Sequence, residues 1–332
     1  MIPTYNKLVL GKKARDLGFV RDAYEKMNRL AEILQFVNSD QELSPLLALK
    51  GGTAINLAVF NLPRLSVDID FDFAENLAKE ETAAKRERIN VLLGRYMASE
   101  GYAIKGKSKH THALDSLVYS YTNAAGNPDN IKIEINYILR NHVLPVIETT
   151  TQTGGALPDF PVRTLSPVEI FAGKIVALSD RAAARDLYDL YNMIHFELFE
   201  KSDLNMLRKC VVFYLAIVGD ATHELNFSKL DTMSARVIKT DLYPMIRNTE
   251  RFDFVSAKDR VSRFLIELFA QSDKDVQFLQ RFLDGYYEPQ LLVEDNSIIS
   301  RVENHPMAIW RLQQINNPIP RIGAHTIPDD QV

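Results

Sequence analysis

Residues 61–73, NLPRLSVDIDFDF, contain the most unusual strand pattern of this sequence. From Val67 onward, apolar and acidic side chains alternate, which is typical of a half-buried β-strand. Aspartate is depleted in strands, yet Asp68, Asp70 and Asp72 would point to one face about 7 Å apart, where like charges repel. We therefore expect a partner for these carboxylates. A divalent cation such as Mg²⁺, which takes oxygen ligands, would remove the repulsion.

The composition is that of an ordinary globular protein, with 46% hydrophobic and 25% charged residues in a chain of 332. This length suffices for one large domain or two ordinary ones. A net charge of −4 excludes a globally basic nucleic-acid-binding protein, so any such contact would need a local patch. The single cysteine, Cys210, excludes an internal disulfide and is expected in the core. Because we see no secretory or membrane-spanning pattern, we expect a cytoplasmic protein.

The first half of the chain mixes helical and strand patterns. A short apolar run, LLALKGG, indicates a buried strand that ends in glycines, and TAINLAVF indicates a helix that starts directly after them. The turn sequence NAAGNPDN indicates a hairpin between the last two predicted strands. The predicted helices are residues 21–38 and 79–99, and the further predicted strands are residues 102–107, 115–122 and 131–139.

The second half shows helical patterns only. In LSPVEIFAGKIVAL, Ser166 is at the N-cap, Pro167 is the first helical residue and Glu169 is the third, which is typical of a capping box. Helical periodicity continues to about residue 315, and the polar, proline-rich end is expected to be loosely ordered. The fold class is therefore predicted as α+β, with a mixed sheet and flanking helices in residues 1–160, a helical domain in residues 161–318 and a flexible tail in residues 319–332.

Beside Asp68 and Asp70, the strand IKIEINY could supply a third carboxylate to the metal. Lys132, Glu134 and Asn136 share one face of that strand, and its isoleucines face the core. Glu134 would then project to the same side of the sheet as Asp68 and Asp70. The alternative is an exposed sheet face whose acidic side chains are simply solvated.

The segment KGGT, residues 50–53, is the second candidate element. Two glycines that leave a strand and open a helix expose backbone N–H groups, which can cradle a phosphate group. Thr53 could add a hydroxyl. The spacing is neither that of a P-loop nor that of a dinucleotide-binding fingerprint, and a pair of glycines is often only a tight connection. The distinctive feature is the order, because the acidic strand follows this segment closely.

The third element is KIVALSDRAAARDLYDLY, residues 174–191. Lys174 interrupts an apolar stretch, and Arg181 follows two helical turns later, on nearly the same side. A lysine that faces phosphates could neutralise the charge that develops on an α-phosphoryl group and on leaving pyrophosphate. The alternatives are a snorkelling Lys174 and a plain surface ion pair between Arg185 and Asp189.

In their order along the chain, these elements resemble the motifs of the AbiEii/AbiGii toxin family over roughly residues 45–195. These bacterial nucleotidyltransferases of the DNA polymerase β superfamily include the MenT-like toxins of type IV toxin–antitoxin and abortive-infection systems. The resemblance implies a polymerase β-like N-terminal fold, a nucleoside triphosphate (NTP) as substrate, and Mg²⁺ or Mn²⁺ as the metal. It implies catalytic roles for Asp68, Asp70, Lys174 and Asp189, metal binding by Asp68, Asp70 and Glu134, and nucleotide binding by Gly51, Gly52, Thr53, Ser66, Lys174 and Arg181, with Asp186 in the last motif.

The resemblance further implies transfer of a nucleoside monophosphate to RNA, with a tRNA 3′ end as acceptor, so that translation stops. It also implies an antitoxin encoded next to the gene, often a DNA-binding repressor. Two local basic clusters, GKKAR at residues 11–15 and KGKSKH at residues 105–110, could contact RNA phosphates or be solvated surface lysines.

The motifs concern only the triphosphate end of the reaction. Three alternatives therefore stay open at this point. The acceptor could be a protein hydroxyl, it could be a small molecule, or the domain could bind a nucleotide or a partner without catalysis.

Overall fold

The structure, a computed structural model, describes residues 5–218, 227–270 and 272–316. The predicted tail, residues 319–332, lies outside these ranges. In the first half, the helices are α1 (Lys7–Leu17), α2 (Arg21–Ser39), α3 (Gly51–Ala54), which continues as a π-helical turn over Ile55–Val59, and α4 (Lys79–Ser99). The strands are β1 (Leu47–Lys50), β2 (Asp68–Phe73), β3 (Ala103–Ile104), β4 (Lys109–His110), β5 (Leu114–Thr122), β6 (Pro128–Asn136), β7 (Ile147–Thr150) and β8 (Pro161–Thr164).

One mixed sheet contains these strands, in the spatial order β3-β5-β6-β2-β1-β8-β7, with β4 paired to β5. Strand β2 lies at the centre, antiparallel to β1 and parallel to β6. Strand β1 is parallel to β8, and β5 and β6 form the predicted hairpin. The predicted α+β class with a mixed sheet is therefore confirmed. Strand β8 begins directly after the predicted domain boundary at residue 160, and that boundary stays a prediction.

The period-two pattern of the acidic stretch produces β2, as predicted. Ile69 and Phe71 are buried in the core, and the aspartates occupy the other face. The predicted helices over 21–38 and 79–99 correspond to α2 and α4. The predicted strand over 102–107 is shortened to β3, because the N–H of Ser108 donates to the carbonyl of Lys105 and closes a turn.

The second half is helical after β8. Its elements are α5 (Pro167–Arg181), α6 (Ala184–His195), α7 (Lys201–Val218), a 3₁₀ turn (Ser228–Leu230), α8 (Ala235–Val237), which continues as a π-helical turn (Ile238–Leu242), α9 (Phe254–Leu268), α10 (Asp273–Leu283), a 3₁₀ turn (Pro289–Leu291), α11 (Asn296–Val302) and α12 (Pro306–Asn316). Helix α5 packs against α7 and α3, so it joins the helical half to the sheet. Cys210 is buried in the hydrophobic core, as predicted. Among the described helices, none is long and apolar enough to cross a membrane.

Helix α5 begins where predicted, but the predicted capping box is wrong. The Ser166 side chain makes no capping hydrogen bond. The Glu169 carboxylate instead accepts from the N–H groups of Val143 (2.9 Å) and Leu144 (3.1 Å) and from the Tyr214 hydroxyl. These distant partners tie α5 to the loop after β6 and to α7, and a local pattern could not reveal them.

Candidate active site

Asp68 and Asp70 lie on the same face of β2, at the centre of the sheet. Parallel pairing places Asp68 opposite Lys132 and Asp70 opposite Glu134 on β6. Both aspartates are partly exposed, and within the described ranges neither carboxylate forms a hydrogen bond or an ion pair. The Glu134 carboxylate, by contrast, lies 2.8 Å from Nζ of Lys132. The predicted group of three carboxylates therefore contains two without protein partners.

Burial raises the pKa of Asp70 above its ordinary value, and the Glu134 and Asp68 carboxylates add to the shift. A divalent cation would remove this repulsion, and Mg²⁺ usually takes only one or two carboxylates together with substrate phosphates and water. Among the described residues, no three His, Cys, Asp or Glu side chains converge to hold a metal ion. Asp68 and Asp70 therefore fit a metal whose coordination is completed by substrate, and a ligand role for Glu134 stays a prediction.

The glycine turn approaches Asp70 so closely that no side chain fits there. Gly51 has a φ of +68°, in the left-handed region that favours glycine. A Cβ on Gly51 would lie 2.5 Å from Oδ2 of Asp70, and a Cβ on Gly52 would lie 2.8 Å from Nη2 of Arg64. The turn predicted to cradle phosphate is therefore directly beside a predicted metal ligand.

Thr53 and Ser66, both predicted to contact nucleotide, are buried. Oγ1 of Thr53 is hydrogen-bonded to Oγ of Ser66 at 2.8 Å and to the carbonyl oxygen of Asp68 at 2.5 Å. These hydrogen bonds attach α3 to the first residue of β2. Both hydroxyls thus position the strand that carries the carboxylates, and their contact with nucleotide stays a prediction.

Lys174 lies in a buried network of ion pairs. Its Nζ is 2.6 Å from Oδ1 of Asp186 and 3.0 Å from Oδ2 of Asp189. Arg64 completes the network, since its Nε and Nη2 each donate to one oxygen of Asp189 at 2.7 Å. Because Asp189 is fully buried, the alternative of a surface ion pair between Arg185 and Asp189 is wrong. The snorkelling alternative for Lys174 is also wrong, because its side chain is buried and its Nζ pairs with two buried aspartates.

Asp189 holds Lys174 in place and is itself held by Arg64, whose side chain is 2% exposed. Sequence reasoning did not assign a role to Arg64. The available signal was a single charged residue in the segment FNLPRLSV, directly before the acidic strand. A buried guanidinium requires a buried carboxylate, but only the fold identifies which one.

Arg181 shares Asp186 with Lys174, which confirms that both cations lie on one side of α5. Nε of Arg181 is 2.9 Å from Oδ2 of Asp186, and the Arg181 side chain is 61% exposed. Although burial alone would raise it, Lys174 and Arg181 lower the pKa of Asp186 below its ordinary value. Asp186 is therefore a stable anion that aligns one buried and one exposed cation.

Asp72, the third aspartate of the acidic strand, is buried. Nζ of Lys50 lies 2.5 Å from Oδ1 of Asp72, and Nε2 of His142 lies 3.3 Å from Oδ2. Although burial alone would raise it, these two partners lower the pKa of Asp72. Within the strand, Lys50 therefore neutralises Asp72, whereas Asp68 and Asp70 are left available for another partner.

A cleft of about 760 Å³ lies between the glycine turn and α5. Lys50 and Lys229 also line it, and sequence reasoning missed both. The predicted residues in its lining are Gly51, Gly52, Asp70, Lys174 and Arg181. The predicted residues outside its lining are Thr53, Ser66, Asp68, Glu134 and Asp189.

A sequence profile of the AbiEii nucleotidyl transferase toxin of type IV toxin–antitoxin systems matches residues 32–279. Among solved structures, the chain is similar to the nucleotidyltransferase toxin MenT4 of Mycobacterium tuberculosis H37Rv. The TM-score is 0.57 at 19% identity, covering 92% of this chain and 99% of that chain. At this identity, the likeness establishes the fold alone.

A weaker likeness links the chain to the CdnC:HORMA-deltaN complex of E. coli MS115-1. Its TM-score is 0.26 at 12% identity, with 84% of this chain and 96% of that chain covered, and it supports no conclusion. No curated protein matches the chain. The profile match, however, spans well over half of the sequence and includes every element of the site. The chain therefore belongs to the AbiEii toxin family of type IV toxin–antitoxin systems, and it is a nucleotidyltransferase.

Proposed function

We propose that this nucleotidyltransferase moves a nucleoside monophosphate from an NTP to a hydroxyl of RNA, with a tRNA 3′ end as acceptor, and so blocks translation. One observation carries the proposal. Asp68 and Asp70, two carboxylates without protein partners among the described residues, lie on one face of β2, and Asp70 lies beside the glycine turn at a cleft that Lys174 and Arg181 also line. Family membership implies the NTP substrate and typically a divalent metal ion.

Asp68 and Asp70 would hold Mg²⁺ or Mn²⁺, which stabilises charge on the attacking and leaving oxygens of an in-line displacement when it is bound. The N–H groups of the glycine turn would bind phosphate oxygens. Lys174 and Arg181 would neutralise the charge that develops as pyrophosphate leaves. Because two aspartates hold the Lys174 ammonium in advance, this stabilisation requires little reorganisation during the reaction.

Exposed positive charge supports RNA as the acceptor. The lysines of the two basic clusters, residues 11–15 and 105–110, are exposed. Arg181 and Lys229 add positive charge at the cleft itself. In a chain of net charge −4, such patches would provide local attraction for a phosphate backbone. The toxin family also suggests an antitoxin, and we propose that it is encoded beside this gene.

The test incubates the purified chain with Mg²⁺, each α-³²P-labelled NTP in turn, and either total tRNA or a cell protein extract. Asp68→Asn and Asp70→Asn are compared with Glu87→Gln, which changes an exposed carboxylate on α4. We expect label on tRNA with the wild type and with Glu87→Gln. We expect no label with either aspartate variant, because each loses a metal ligand.

The other outcomes distinguish the open alternatives. Label on protein alone would replace RNA by a protein hydroxyl as the acceptor. Label on neither, from a protein with a cooperative thermal transition, would refute RNA as the acceptor. Label that survives in Asp70→Asn would refute the assignment of the site.

A further inference from the structure

A second pocket, of about 350 Å³, lies on the other side of the Asp72–His142 pair from the catalytic cleft. Three arginines line it, and no carboxylate does. Arg140 follows β6, Arg163 is on β8, and Arg301 is on α11. Three separate parts of the chain thus bring positive charge to one small concave site.

The three arginines have no acidic partner in the part of the chain that the structure describes. Within the described ranges, none of them forms an ion pair, although the chain contains 43 acidic residues. Nε of Arg140 is buried and has no hydrogen-bond acceptor there. Burial also lowers the pKa of Arg140 below its ordinary value, because it removes hydration from the charged form. Like charges in one pocket repel each other, so the arrangement lacks an anion.

Two of the arginines are fixed in place by backbone carbonyl groups. Nη1 of Arg163 donates to the carbonyl of Ser44 at 3.2 Å and also to that of Pro45. Arg301 donates from Nε to the carbonyl of His142 at 3.1 Å. Neutral carbonyl groups orient a guanidinium without cancelling its charge, so the pocket is positive and partly preorganised.

The pocket and the catalytic cleft share a wall. His142 lines the pocket, its Nε2 contacts Asp72 at 3.3 Å, and Asp72 lines the cleft. Asp72 in turn contacts Lys50, which also lines the cleft. An anion in the pocket would therefore lie one layer of side chains from the nucleotide site.

We propose that Arg140, Arg163 and Arg301 form a phosphate-binding site that holds a backbone phosphodiester of the acceptor RNA. The planar, forked guanidinium matches the oxygens of a phosphate group. Three such groups around a pocket of this size would accommodate one phosphodiester and its sugar. This assignment of the ligand rests on the proposed function, whereas the anion site itself rests on the unpaired arginines.

The test measures RNA binding by the full chain without NTP, so it does not depend on transfer. Fluorescence anisotropy with a short labelled single-stranded RNA compares the wild type with Arg140→Gln and Arg140→Lys. Arg140 is chosen because within the described residues its guanidinium forms no ion pair and its Nε has no acceptor. Arg88→Gln removes the same charge from an arginine that already has a carboxylate partner, Glu42.

We expect Arg140→Gln to reduce the slope of log affinity against log salt by about 0.7, as for one lost contact to single-stranded RNA. The ratio of wild-type to variant affinity should then shrink about 2.6-fold between about 0.05 M and 0.2 M salt. Arg140→Lys should restore part of the slope, and Arg88→Gln should leave it unchanged. Thermal melting checks that every variant is folded.

An unchanged slope in folded Arg140→Gln would overturn the RNA assignment, even if the wild type transfers label to tRNA. A second arm replaces chloride by inorganic phosphate at equal ionic strength and follows the melting temperature. If phosphate stabilises the wild type more than Arg140→Gln while the RNA slope is unchanged, free phosphate is the ligand and the RNA assignment is overturned. If neither measurement responds to Arg140→Gln, the anion site itself is refuted. Conversely, a reduced slope without any transfer to RNA would support this site and refute the proposed acceptor.

Discussion

Gly51→Ala tests the central geometric feature of the site, the close approach of the glycine turn to Asp70. The matched control is Gly94→Ala inside α4, where a Cβ would meet no atom within 4 Å beyond its chain neighbours and the nearby backbone of its own helix. Both variants add one methyl group. Only the first adds it at a φ of +68° and 2.5 Å from a carboxylate oxygen.

The expected effects on stability have opposite signs. A left-handed conformation costs an alanine about 1–2 kcal/mol, and displacement of the Asp70 carboxylate adds to this cost. In Gly94→Ala, the gain in helix propensity is about 1 kcal/mol. With about 2–4 °C per kcal/mol for a domain of 150–250 residues, Gly51→Ala should melt several degrees lower and Gly94→Ala a few degrees higher.

Activity should separate the two variants further. Because the new methyl group would lie 2.5 Å from Oδ2, closer than van der Waals contact allows, Asp70 must move, and a displacement of about 1 Å in a catalytic group can reduce the rate on the order of 100-fold. Differential scanning calorimetry measures stability, and single-turnover transfer of labelled nucleotide measures the rate. A Gly51→Ala variant that melts and reacts like Gly94→Ala would refute the close approach.

Three further predictions concern the same face of the sheet. Asp70→Asn should raise the melting temperature at neutral pH without metal, because the pKa of Asp70 is raised by folding and its ionisation is unfavourable above that pKa. This advantage should shrink as the pH falls below the raised pKa and vanish below the ordinary pKa of aspartate, and a constant advantage at all pH values would contradict the assignment. Arg64→Met should lower the free energy of unfolding by about 3 kcal/mol in urea titrations, the low end for a broken buried pair, since Lys174 still faces Asp189. The control Arg88→Met changes an exposed pair and should leave the urea midpoint unchanged, so equal midpoints for the two variants would argue against the buried network. Thr53→Val should destabilise by about 1–3 kcal/mol because it leaves the Ser66 hydroxyl and the Asp68 carbonyl without their partner, whereas Thr53→Ser should retain most of the stability. Equal urea midpoints for these two substitutions would show that the hydroxyl is not needed.

The main elements of the fold could be predicted because their signals are local. Alternation at period two in residues 67–73 is enough to indicate β2 and to assign Ile69 and Phe71 to the core. The dense turn chemistry of NAAGNPDN likewise indicated the β5–β6 hairpin. The error at Glu169 has a physical reason. A capping box depends on the next few residues, but this carboxylate is satisfied by N–H groups and a hydroxyl that are distant in sequence.

The sequence by itself determined which residue types are present and in what order: a glycine turn, an acidic strand and a helix with a lysine and two aspartates. These are properties of neighbouring residues, so spacing along the chain is sufficient to recognise them. The sequence could not determine which charged side chains pair with one another. Only tertiary structure showed that Asp72 is neutralised by Lys50, that Arg64 holds Asp189, and which arginines line a pocket without a carboxylate. Electrostatic pairing depends on distance in space, and the segments that supply each pair become neighbours only when β1 pairs with β2 and when α6 packs against the segment before β2.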